Sequence, residues 1–149
     1  GPSFDVQIPL FKQHIELAEK LGKPLIIHCV KAWEELIHVY RELKPTQPSI
    51  IHGYRGRPEL TKRLINEGFL FSIGDHLNVD SLPLIPMDRI FCETDEGDMS
   101  IRDVYLQASQ VLNMELEEFA EAVTANVRRV FPDLQPPKPY FTDDEELEE

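Results

Sequence analysis

The sequence predicts an α/β fold built on a parallel sheet, and three observations predict it. Four short apolar runs, Leu25-Ile26-Ile27-His28, Ser49-Ile50-Ile51-His52, Phe69-Leu70-Phe71-Ser72-Ile73 and Ile90-Phe91-Cys92-Glu93-Thr94, recur at intervals of about 20–25 residues. Their apolarity is continuous rather than alternating, which suits strands buried on both faces. Amphipathic helical patterns fill the intervals, so each crossover returns the chain to start the next strand in the same direction.

Taken in order, the elements follow from local chemistry. Phe11, Ile15, Ala18 and Leu21 fall on one helical face, and Gly22 stands where that helix should stop. The first strand is expected near 24–28. Trp33, Leu36, Ile37, Tyr40 and Leu43 repeat the helical spacing before Pro45, and Trp33 and Tyr40 fit a helix face packed on the sheet rather than a base-stacking platform. A strand near 49–52 follows. Pro58 suits a first helical turn, leading through Leu60, Leu64 and Ile65 to Gly68. Strands near 69–73 and 89–94 come next, in sequential order. One closing helix carries Val104, Ala108, Val111 and Leu112, and another carries Phe119, Ala120, Val123 and Val127. Asn113 lies in the turn between them, and Glu115 with Glu118 has the spacing of a weak capping box. Asn126, in an otherwise apolar stretch, is expected to satisfy buried backbone groups.

Composition narrows the function classes. A chain of 149 residues, 42% of them apolar, is long enough for one real core and too apolar for disorder. No run approaches the roughly 20 apolar residues of a membrane helix, and no positively charged, apolar leader opens the chain. Cys29 and Cys92 are too few for a disulfide framework, so a reduced, cytoplasmic setting is expected. The formal charge is −12; six acidic groups lie in residues 143–149, leaving the remainder at −6. A body of that sign repels a polyanion at long range, so a nucleic-acid substrate would need a local positive or metal-bearing site. Residues 1–132 form the expected folded unit, and 133–149 read as a Pro-rich and acidic tail, disordered at its end.

Three residues share one position, the end of a buried strand. His28 closes the first run, His52 the second, and Asp95 follows the fourth. Ligands and catalysis gather at the carboxyl ends of strands in parallel sheets. Two imidazoles and a carboxylate there make a partial shell for Zn²⁺, Mn²⁺ or Mg²⁺. A histidine at a strand end also serves simply as a hydrogen-bonding cap. The placement of both histidines after a twin isoleucine, with Asp95 at an equivalent point, favours ligation. These residues should converge at one end of the sheet. His14 and His38 lie within helices and belong to the surface.

Ile27-His28-Cys29, Ile51-His52-Gly53-Tyr54-Arg55-Gly56 and Cys92-Glu93-Thr94-Asp95 resemble three successive signatures of the TatD family. Gln7, Phe11 and the segment Thr124–Phe131 are similar as well, so the likeness runs to about Pro132. The resemblance implies the C-terminal portion, about four βα units, of a TIM-type (β/α)₈ barrel of the metallo-dependent hydrolase kind. It implies a divalent cation, with His28, His52 and Asp95 as ligands and Asp95 also handling the proton of the attacking water. Glu93, two residues earlier and pointing the same way, would orient its neighbours. The implied reaction is hydrolysis of phosphodiester bonds in DNA.

The family's upstream His-x-His and glutamate have no counterpart here, and the loops after His28, His52 and Asp95 differ from its usual pattern. The chain therefore reads as truncated and inactive alone, pairing with an absent N-terminal half or with itself. Lys31, Arg55, Arg57 and His76 are the candidate substrate contacts. Two further functions fit the altered loops: metal-dependent hydrolysis of a small ester or amide, and a non-catalytic half-barrel acting as an assembly module.

Overall fold

A computed structural model describes residues 4–28, 31–94 and 99–134. Helix α1 (Phe4–Leu21) precedes strand β1 (Leu25–Ile27), followed by α2 (Trp33–Leu43), β2 (Ser49–Ile51), α3 (Pro58–Glu67) and β3 (Leu70–Ile73). Two short 3₁₀ turns, Leu82–Leu84 and Met87–Arg89, lead into β4 (Ile90–Cys92), and α4 (Ile101–Val111) and α5 (Leu116–Val130) close the described chain. The expected tail at 133–149 lies outside the described residues from 135 onward.

The four strands pair in the order β1-β2-β3-β4, every pair parallel, with Leu25 beside Ser49, Ile51 beside Phe71, and Ile73 beside Cys92. This is the sheet that the apolar runs predict. The strands are shorter than those runs and end just before His28, His52 and Glu93.

Strand periodicity sorts the side chains onto two faces. Ile27, Ile51, Phe71, Ile73 and Ile90 point to one face, where they meet Leu36, Ile37, Leu64 and Phe119 in the main core. Ile50 and Phe91 point to the other, against Val130, with Leu70, Val127 and Phe131 beside them. Ile26 stands level with Ile50 on that second face but is 60% exposed. Counting two residues further along each strand places His28, His52 and Glu93 at the carboxyl end of the same face.

Helix ends follow their chemistry with two exceptions. Pro58 occupies the first turn of α3, and Gly68 ends it at φ +96°, where a Cβ would be strained. Ser100, not singled out beforehand, caps α4 by accepting a hydrogen bond from the Asp103 amide at 3.1 Å. Leu21, expected on the buried face of α1, is 59% exposed, because its position continues the helical period past the last neighbour it could pack on. Glu115 sits at the start of α5 but makes no side-chain cap, so the expected capping box does not form. Among the described residues no helix is long and apolar enough to cross a membrane.

Asn126 is 2% exposed, and its amide donates to the Met87 and Ile90 carbonyls at 2.8 and 2.9 Å. It thereby ties α5 to the entry of β4. Asn126→Leu keeps the volume and strips both donors, so urea unfolding should show a loss of at least about 1–3 kcal/mol, the cost of an orphaned buried group. An unchanged midpoint would mean that water replaces the amide.

Candidate functional site

His28 and His52 each directly follow a strand, and adjacency of β1 and β2 brings them together. Their ring centroids lie 4.3 Å apart with the planes tilted by 56°. The ladder continues one step beyond β2, since the His52 amide donates to the Ile27 carbonyl at 2.9 Å. That bond fixes the backbone from which the His52 side chain springs.

Glu93 approaches from β4 by the same device, its amide donating to the Ile73 carbonyl at 2.9 Å. Its carboxylate reaches past β3 and faces two donors at once. Oε2 lies 2.5 Å from His52 Nδ1, and Oε1 accepts from the Gly53 amide at 3.1 Å. A carboxylate only accepts, so Nδ1 is the donor in this contact, and in the matching neutral tautomer the lone pair lies on Nε2. This is the arrangement that orients an imidazole for metal binding. Both groups are largely buried, whereas His28 is exposed.

The histidines open onto a cavity of about 400 Å³. Of the expected substrate contacts, Arg55 and His76 line it; Lys31 and Arg57 are exposed and do not. Lys31 lies just ahead of α2, and Arg57 is the residue that leads into α3. His76 remains mostly exposed, its Nε2 3.7 Å from Asp75 Oδ2. His14 and His38 are surface residues, as expected.

Asp95, the third expected ligand, lies outside the described residues together with Cys29. Among the described residues no group of three or more His, Cys, Asp or Glu is placed to hold a metal ion. The described donors are the two imidazoles, and their chemistry suits a borderline divalent cation. Cys92 does not add a nucleophile, because burial, reinforced by the Glu93 charge, pushes its thiol far above the ordinary range.

The loop after His52 is held from below. Tyr54 is 3% exposed, with its ring 4.7 Å from that of Phe71. Its hydroxyl lies 2.6 Å from Thr61 Oγ1, and Thr61 in turn donates to the Arg57 carbonyl at 2.8 Å. Thr61 has one proton to give, so Tyr54 is the donor in the first bond. Burial keeps that phenol protonated by raising its pKa, against the lowering effect of Thr61. Ser81 adds a bond of 2.6 Å to the Gly56 carbonyl.

Trp33 has a second environment that sequence periodicity did not show. It packs partly against the core, as expected, yet it also lines the cavity, edge-on to Tyr54 with centroids 6.0 Å apart and planes at 84°. The available signal was its place in the chain: the first residue of a helix that leaves the His28 loop.

A parallel sheet with outer helices and histidines at its carboxyl end defines the chain as a portion of a (β/α)₈-type barrel of the metallo-dependent hydrolase class. The family model described as TatD related DNase matches residues 2–132, and the chain belongs to that family. It is 25% identical over 146 residues to a Mycobacterium tuberculosis protein named as the uncharacterized metal-dependent hydrolase TatD, covering 85% of this chain and 55% of that protein. The Escherichia coli K12 protein named as the uncharacterized metal-dependent hydrolase YcfH is 25% identical over 142 residues, covering 81% and 54% respectively. Among solved structures, the TatD homologue YjjV of Escherichia coli K12 superposes with a TM-score of 0.76 at 19% identity, covering 87% of this chain and 57% of that one. A TatD family hydrolase from Entamoeba histolytica gives a TM-score of 0.74 at 19% identity over 87% of this chain and 58% of that one. This chain thus spans little more than half the length of the relatives it matches.

Proposed function

We propose that the chain contributes His28, His52 and Asp95 to a divalent-metal site that hydrolyses phosphodiester bonds in DNA. The observation that carries this reading is the His28–His52 pair on one cavity, with Glu93 holding the Nδ1 proton of His52. Membership of a family described as TatD related DNase supports the DNA substrate. When bound, the cation (Mg²⁺, Mn²⁺ or Zn²⁺) supplies Lewis acidity and makes water a nucleophile near neutral pH.

The residues of this chain do the rest. Glu93 fixes the tautomer and direction of His52, so that Nε2 faces outward without rotational cost. Asp95, as proposed from the family signature, takes the proton of the attacking water. Arg55 on the cavity rim offers a planar, bidentate partner to a phosphate, a local counter to the net charge of −12. Lys31 and Arg57, exposed on neighbouring loops, act on approach rather than at the reacting bond.

Ile26 bears on assembly. An isoleucine 60% exposed on the inner sheet face is suited to cover by further strands of the same barrel or by a second copy. The test uses both the 149-residue chain and its full coding sequence, with a labelled oligonucleotide, Mg²⁺, Mn²⁺ or Zn²⁺, and a chelator. The longer form should cleave DNA and lose that activity with chelation, while the 149-residue chain should be nearly inactive. Robust metal-dependent cleavage by the 149-residue chain would overturn the incomplete-site argument. No cleavage by the longer form, with turnover of a small ester or amide, would replace the nuclease reading.

A further inference from the structure

We infer that Trp33 is the specificity wall of this cavity and that it takes one unpaired nucleobase next to the scissile phosphate. The inference rests on the nuclease reading for the identity of its ligand, and on four features of the cavity for its argument.

First, Trp33 shares the cavity with both histidines. Second, it stays partly open at the head of a helix in which Leu36, Ile37 and Tyr40 are buried to between 0 and 8% exposure, while Leu43 at the far end is partly buried as well. A large aromatic left partly open on a concave surface is suited to bind another flat ring. Third, the indole has a rigid backing. Tyr54 stands edge-to-face against it, and Tyr54 is itself locked between Phe71 and Thr61. Fourth, Arg55 directly follows Tyr54 and lines the same cavity, so a cation for the phosphate and a π-surface for the base lie on one rim. A base stacked on Trp33 must leave its own duplex, which makes single strands and frayed ends the preferred substrates.

Trp33 is the chain's one tryptophan, so its emission reports directly on stacking. The experiment titrates the metal-loaded full-length protein with a single-stranded thymidylate pentamer carrying phosphorothioate linkages, and with a pentamer of the same backbone abasic at every position. If the upstream sequence carries further tryptophans, they are replaced by phenylalanine. Cleavage of the corresponding phosphodiester pentamers is measured for the unchanged protein, Trp33→Phe and Trp33→Ala. Emission should be quenched by the intact pentamer and not by the abasic one. Trp33→Ala should lower kcat/KM on the intact pentamer by about 5- to 150-fold, the usual worth of one stacked base. Cleavage of the abasic pentamer should fall by a much smaller factor, and Trp33→Phe should retain most of the rate. Equal losses on intact and abasic strands would overturn the inference, reducing Trp33 to packing while the nuclease reading stands. Quenching by the intact strand without cleavage by any form would instead support the stacking and overturn the nuclease reading.

Discussion

His52→Ala in the full-length protein is expected to remove metal-dependent turnover, and Glu93→Gln to lower metal affinity or turnover by about 10–100-fold. The two carboxylate oxygens of Glu93 face two donors, His52 Nδ1 at 2.5 Å and the Gly53 amide at 3.1 Å. Glutamine has one accepting oxygen and an NH₂ group, so one donor must be left unanswered whichever way the amide turns. If the oxygen stays on Nδ1, His52 keeps its tautomer but loses the charge that makes Nε2 a better base. If it turns to Gly53, the ring is free to flip. Metal titration by calorimetry, with kcat/KM at several metal concentrations, separates the outcomes. A deficit cured by more metal locates the effect in affinity; one that persists locates it in orientation. Unchanged affinity and rate in Glu93→Gln would show that the carboxylate is a loop brace without influence on the site.

The second large effect concerns stability. A Cβ placed on Gly56 would collide with the Tyr54 hydroxyl and lie 2.7 Å from Cζ of the same ring. Tyr54 cannot retreat, because it is 3% exposed and backed by Phe71. Gly56→Ala should therefore cost about 1–3 kcal/mol through overpacking, and about 1 kcal/mol more if the bond to Thr61 breaks. Urea denaturation gives the magnitude. The decisive measurement is the double variant. Tyr54→Phe removes the atom that meets the new methyl first, so Gly56→Ala combined with Tyr54→Phe should be less destabilised than the two single losses added together. Strict additivity would place the strain elsewhere in the loop.

The sheet was legible because strands buried on both faces leave an unbroken apolar record, and each helix between them carries its own period. Leu25 to Ile27 and Ser49 to Ile51 could hardly be anything but neighbouring parallel strands. The histidines were legible for a related reason: a polar residue at the end of such a run has to face the loop end of the sheet. Other features resist this kind of inference. Trp33 satisfies the helical apolar period equally well whether its ring meets the core or a cavity, since periodicity gives direction around the helix and not position along it. Leu21 shows the same limit at the other end of a helix. The Glu93 contact depends on a side chain spanning from β4 to the residue after β2, across the intervening strand. The brace joins Tyr54 to Thr61 and Ser81 to the Gly56 carbonyl through hydroxyl groups that have no pattern in a linear reading.

That brace has a consequence for how the cavity can change over generations. Arg55 is flanked by two residues that cannot readily be replaced, one anchored in the core and one with no room for a side chain. Its own side chain is exposed. The backbone at position 55 is thus held in place by its neighbours whatever residue it bears. Substitution there would alter the charge and reach of the rim while leaving folding untouched. If Arg55 meets the substrate as proposed, preference would change with this single exposed residue, without a stabilising change elsewhere to permit it.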